Sequence, residues 1–197
     1  MPERFERLTI MNTWLHHEGY EYTDAIRNWN KNWHDGGLFA RETPNVGLLM
    51  AMTAGLLSRD DTFSHLIAGT LPDFPDEASR QMHDAYLAPF RGLDDGAYNG
   101  ARRFPLSLPM DSYDNGNGAA QTRHYRLLLD WNKPVHFIWG SADDVFTESW
   151  GRAWASRLEH VPGGASFDAI DDAGHFLQNT HGAEVARLLL ARMARES

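Results

Sequence analysis

"PVHFIWGSADDVF", residues 134 to 146, decides the fold. Pro134 opens a continuous apolar run and Gly140 closes it, the pattern of a strand buried on both faces. Polar loop residues, Ser141 to Asp144, follow at once. A helix-like stretch comes next, "TESWGRAWASRLEHV" (147–161), and then "ASFDAIDDAGHFLQ" (165–178), which reads as a second strand running into a loop. An amphipathic stretch, "AAQTRHYRLLLDW" (119–131), precedes the first strand, and residues 175–195 read as one long final helix. Strands alternating with helices in this order predict a parallel α/β sheet. At the opposite end "RFERLTIMNTWL" (4–15) supplies a third strand. The expected parallel strands are 7–12, 134–140 and 167–170.

Between the first strand and the rest lie about a hundred residues of helical character. Asp24 is placed to cap a short helix running through Ile26 and Trp29. "PNVGLLMAMTAG" (44–55), "SRDDTFSHLIAGTLP" (58–72) and "PDEASRQMHDAYLAPF" (75–90) are further short helices bounded by Pro and Gly. Residues 91–119 are dense in Gly, Asp, Asn and Pro and read as loop. No internal repeat or low-complexity tract occurs.

Bulk properties narrow the function. The 197 residues carry 18 Lys and Arg against 27 Asp and Glu, a formal net charge of −9. No basic cluster stands out, so a nucleic acid or an anionic membrane is not expected as a partner. The absence of cysteine excludes disulfides, thiolate metal sites and cysteine nucleophiles. No apolar run has the length of a membrane span, and the start lacks the basic-then-apolar pattern of a signal peptide. The expected compartment is the cytoplasm.

Function in open parallel sheets gathers at the carboxyl ends of strands. Asn12, Asp143 and His175 all fall there. A carboxylate bonded to one imidazole nitrogen fixes the tautomer and makes the other nitrogen a better base. Asp143 and His175 are therefore read as an acid–base pair, with Asp144 as the weaker acid. A nucleophile for this pair is not found. "GLDDG" (92–96) formally matches an elbow with Asp94 at its centre, but no buried strand precedes it and no helix follows. The ten histidines show no metal-ligand spacing, so no metal is expected. His136, inside a buried strand, is expected to be a satisfied core histidine.

These motifs resemble those of a known family. "PVHFIWGSADDVF" through "DDAGHFLQ" resembles the C-terminal part of an α/β hydrolase. "RFERLTIMNTWL", "AIRNW" and "AYLAPF" followed by "GARRFPLSLPM" resemble the sixth strand, the cap and the cap-to-core return of haloalkane dehalogenases. The resemblance covers nearly the whole chain. It implies a core strand at 1–16, a helical cap at 17–110 and a C-terminal core at 111–197. It also implies that His175 is the base that activates water and Asp143 the carboxylate that orients it. Family members place that acid after the sixth or the seventh strand; Asn12 occupies the first place, which leaves Asp143. Trp29 matches the halide-binding tryptophan, Trp33 being the lesser claimant. Phe104, Pro105 and Val145 match positions lining an apolar pocket.

The implied reaction is carbon–halogen cleavage through an aspartyl ester, using a small halogenated substrate and water, releasing halide and needing no cofactor. In the family, the five strands and the nucleophilic aspartate precede the region matched here. The resemblance therefore implies a C-terminal portion of the enzyme, inactive and poorly soluble or partly unfolded by itself. Two other readings stand beside it. An epoxide hydrolase would use the same pair, with Tyr20, Tyr22, Tyr86 or Tyr98 as proton donors. A binding module would use the aromatic-rich insert as an interface.

Overall fold

The computed structural model describes residues 2–17, 20–24, 26–27, 77, 80–81, 84–85, 88–90, 92 and 117–195. The chain divides into two compact units, Met1–Ala25 with Pro109–Ser197, and Ile26–Leu108. In the second unit Glu77, Arg80, Gln81, Asp84 and Ala85 are helical, and a 3₁₀ turn at Ala88–Phe90 follows. Arg80 pairs with Glu77 on that helix. Asp24 is itself helical, so it lies inside its helix and does not cap it.

The first unit is built on a parallel sheet in the order β1 (Leu8–Met11), β2 (Val135–Gly140), β3 (Ser166–Ile170). Leu8 to Met11 pair with Val135 to Ile138, and His136 to Gly140 pair with Ser166 to Ile170. All six β2 residues are buried, as the uninterrupted apolar run requires of a central parallel strand. Alternation along β2 sends Phe137 and Trp139 to one face and Ile138 to the other.

On the first face, helix α2 (Glu148–Ser156) lays Trp150 and Trp154 over the sheet. Trp139 and Trp150 have centroids 6.1 Å apart, and Trp154 meets Phe137 edge-on at 5.8 Å. Gly151 makes this approach possible: a Cβ there would sit 2.7 Å from the Trp139 ring. On the second face Ile138, Ile170, Ala173, Leu177 and Val185 form a core joined by Met11, Leu188 and Leu189. Arg192 donates bidentately to Asp168 at 2.8–3.0 Å, tying the last helix to β3.

Two helices end differently from expectation. The stretch 147–161 is helical only to Ser156, after which three-residue turns carry Arg157, Leu158 and Val161 onward. Pro162 restricts the residue before it and offers no N–H, and Gly163 and Gly164 take φ of +77° and +73°. The final helix is two: α3 (Leu177–Thr180) and α4 (Gly182–Arg195), broken at His181. His175 lies before both, in a turn. Helix α1 (Gly118–Leu129) forms close to its expected limits.

His136 is buried within β2 and its Nδ1 lies 2.7 Å from the Ser166 hydroxyl. His16 and His17 are also buried. His17 stacks on Tyr125 with centroids 3.8 Å apart, gives its Nδ1 proton to the Leu15 carbonyl and faces the Arg157 guanidinium with Nε2. Burial depresses its pKa below the usual 6.5, and Arg157 adds to this, while the Leu15 bond opposes it. His16 is depressed by burial and then by His17. Both rings thus take up a proton less readily in the fold than in the unfolded chain, which does so near pH 6.5. The unfolded state binds more protons below that pH, so stability is lost as pH falls from about 6.5 through the lower folded values. Thermal melts between pH 7.5 and 5 should show a falling midpoint, and His17→Gln should flatten the slope.

Candidate active site

Three polar residues stand at the carboxyl ends of the three strands: Asn12 after β1, Asp143 after β2 and His175 after β3. Their loops lie against one another because Gly140 has no side chain. A Cβ at Gly140 would fall 2.3 Å from the Ala173 carbonyl oxygen and 2.7 Å from that of Gly174. Backbone bonds fasten the two loops: Ser141 N–H to the Ile170 carbonyl and Ala142 N–H to the Ala173 carbonyl, both 3.0 Å. The Ser141 hydroxyl accepts the Asp172 N–H at 3.0 Å, and Asp172 takes a φ of 58°.

Asp143 divides its carboxylate between two tasks. Oδ1 accepts the N–H groups of Val145 (2.8 Å) and Phe146 (3.0 Å), closing the loop on itself. Oδ2 accepts the Nδ1–H of His175 at 2.9 Å. The Asp143 side chain is fully buried, whereas that of His175 is 26% exposed. Trp139 Nε1 donates to the Phe146 carbonyl at 2.7 Å and braces the same loop from β2. Around the imidazole, Phe146 lies 5.3 Å away and Phe176 meets it edge-on at 4.7 Å. With Nδ1 donating to a carboxylate, Nε2 is the basic nitrogen of the ring. This arrangement can take a proton from water or an alcohol.

Of the sequence-predicted residues, the structure brings Asp143 and His175 together and sets Val145 two residues on, in the same loop. Val145 is half-buried, and its carbonyl accepts the Thr23 hydroxyl at 2.8 Å. Asp144 is exposed. Trp29, Trp33, Phe104, Pro105 and Asp94 lie outside the described residues. Among the described residues no three His, Asp or Glu side chains are grouped as metal ligands, and no helix is long and apolar enough to cross a membrane.

The bonds of Asn12 and the burial of Trp14 were not anticipated from the sequence. Asn12 is more than the occupant of a vacant acid position: its carboxamide bonds the ends of both neighbouring segments, as described below. Close to the acid loop, the Trp14 indole N–H and the Tyr20 hydroxyl are buried without a hydrogen-bond partner among the described residues. Trp14 packs on Phe146 at 4.9 Å, and Tyr20 meets Trp150 edge-on at 5.0 Å. Burial, reinforced by the Asp143 charge, pushes the Tyr20 ionisation upward and keeps its hydroxyl a donor. The Tyr22 hydroxyl, by contrast, is engaged with His16 Nδ1. Tyr20 is one of the four tyrosines named from the sequence as possible donors, whereas Trp14 was not, because a buried aromatic donor has no local sequence signature.

Comparison with known proteins bears on the fold. No protein-family model matches the chain. Over 196 residues it is 28% identical to a haloalkane dehalogenase of Psychrobacter cryohalolentis, a match covering 96% of this chain and 52% of that protein. Among solved structures, haloalkane dehalogenase DbeA from Bradyrhizobium elkani superposes with a TM-score of 0.70 at 19% identity, covering 96% of this chain and 58% of that one. A thermophilic esterase from Thermogutta terrifontis superposes at 0.58 and 16% identity, over 98% and 57% of the two chains. The chain spans about half the length of the curated relative. Its fold is that of the C-terminal part of an α/β hydrolase, and its sequence is similar to that of a haloalkane dehalogenase over nearly its whole length.

Proposed function

We propose that this chain supplies the cap, acid and base of a haloalkane dehalogenase-like hydrolase whose nucleophilic aspartate lies outside these 197 residues. The Asp143–His175 bond of 2.9 Å at the sheet's carboxyl edge carries the reading. Sequence similarity to a haloalkane dehalogenase supports this choice among the reactions an acid–base pair can serve. In the proposed cycle an aspartate attacks the halogen-bearing carbon of a small apolar substrate. The carbon–halogen pair leaves with the halide, and an alkyl ester forms. Water then attacks the ester carbonyl while His175 Nε2 takes its proton. The buried Asp143 carboxylate stabilises the resulting imidazolium. Collapse of the tetrahedral intermediate returns the proton to the departing alkoxide, freeing an alcohol and the aspartate.

Trp29 is proposed as an N–H donor to the leaving halide, a weakly hydrated anion that an indole in a dry pocket can hold. Phe104, Pro105 and Val145 are proposed to line the apolar pocket. The cycle consumes only water and draws on no cofactor. One observation favours a second reading. The protonated, unpartnered Tyr20 hydroxyl is a donor of the kind that an epoxide hydrolase needs at the opening ring oxygen.

Residues 1–197 should be joined behind the preceding, nucleophile-bearing portion of the Psychrobacter cryohalolentis relative. This assembled hydrolase is then assayed with bromoalkanes and with epoxides. Halide release that falls in Trp29→Phe supports the dehalogenase reading. Epoxide opening without halide release, lost in Tyr20→Phe, supports the second. A folded protein active on neither contradicts both and leaves a binding module.

A further inference from the structure

We infer that Asn12 is a positioning residue that sets the aim of the His175 imidazole, an inference that rests on reading His175 as the base. Asn12 Oδ1 accepts the Gly140 N–H at 2.9 Å. Its Nδ2 donates to the carbonyls of Gly174 at 2.8 Å and His175 at 2.9 Å. The residue is only 6% exposed. Gly140 in turn accepts the Asp143 N–H through its own carbonyl at 3.2 Å. The bonds close a ring: Asn12 to Gly140, Gly140 to Asp143, Asp143 Oδ2 to His175 Nδ1, and the His175 carbonyl back to Asn12. One carboxamide thus joins the backbone of the base to Gly140, on which the acid loop closes, and the two side chains hold each other.

The residue type follows from this geometry. The ring needs one acceptor and two N–H donors on a short, planar side chain, which a carboxamide has and a carboxylate of the same shape lacks. Asn12 also sits at φ 33°, a left-handed conformation that Asn and Gly enter most readily. Its two bonds to the His175 loop keep the carbonyls of Gly174 and His175 out of the following helix. That accounts for the imidazole standing in a turn ahead of α3. Partly buried amide bonds across 162 and 163 residues of sequence make this a tertiary device.

Asn12→Asp and Asn12→Gly separate the amide from the backbone. Aspartate keeps the Gly140 contact but turns an acceptor toward two carbonyl oxygens; glycine keeps the positive φ and removes the side chain. Nitrogen-15 NMR of the histidine rings in the assembled hydrolase is the readout, with His136, held by Ser166, as the internal reference. The expected result is a sharp, exchange-protected His175 Nδ1–H in the unsubstituted chain, broadened or lost in both variants while the His136 signal persists. In the unsubstituted chain the Asn12 side-chain amide protons should themselves be protected from exchange. Freely exchanging Asn12 amide protons, or a His175 signal unchanged in both variants, overturns the inference. These spectra need no turnover, so an inactive hydrolase leaves the test intact. In the assembled hydrolase Asn12→Asp should slow ester hydrolysis by about 10²-fold, the scale of an ångström-level misplacement. The initial burst of halide should remain.

Discussion

His175→Gln in the assembled hydrolase should release about one equivalent of halide per enzyme and then stop. Glutamine has neither the basic nitrogen nor the proton affinity of the imidazole, so ester formation survives and ester hydrolysis does not. Loss of a positioned general base costs on the order of 10²–10⁴-fold, and the whole of that loss should appear in steady-state turnover. Intact-protein mass spectrometry after mixing with a bromoalkane should find the enzyme heavier by the alkyl group. Unchanged mass together with a lost burst would mean that His175 acts in the first step, contrary to the proposed division of labour.

Asp143→Asn should be nearly as damaging to turnover and mild on folding. The amide oxygen can still accept the N–H groups of Val145 and Phe146, which now bond Oδ1. The amide nitrogen would face His175 Nδ1, however, and favour the tautomer whose proton is on Nε2, the nitrogen that must accept one. A loss of 10³–10⁴-fold in turnover is on the order expected for this inversion. Asp143→Ala should behave differently in a melt. It leaves the two N–H groups without their side-chain acceptor, at about 1–3 kcal/mol each. The pair of variants separates orientation of the base from closure of the loop. Equal turnover in Asp143→Asn and the unsubstituted protein would remove Asp143 from the site and turn attention to the exposed Asp144.

What was legible in the sequence follows physical range. The apolar run 135–140 announces a central strand because both its faces are buried, and the polar residues after Gly140 and Ile170 announce the site because strand ends in parallel sheets converge. Asp143 and His175 could be paired 32 residues apart for that reason. The ends of the helices were less legible. Pro162 and the pair Gly163–Gly164 stop the chain's return to helix after α2, and the break at His181 divides what periodicity reads as one segment. Least legible was Asn12. Its bonds reach residues far along the chain, and nothing in "LTIMNTW" distinguishes a clamp from an ordinary strand-ending asparagine. Trp29, Phe104 and Pro105 owe their assignment to family resemblance alone, since composition and spacing do not mark them.

The central claim is that His175, oriented by Asp143, drives water onto an aspartyl ester and not onto the substrate carbon. A single turnover of a bromoalkane in ¹⁸O-labelled water tests it most directly. The ester route predicts that the first alcohol released carries unlabelled oxygen from the aspartate, while the label enters the enzyme carboxylate. An alcohol fully labelled in the first turnover would show that the histidine-activated water attacks the carbon itself, and would contradict the account.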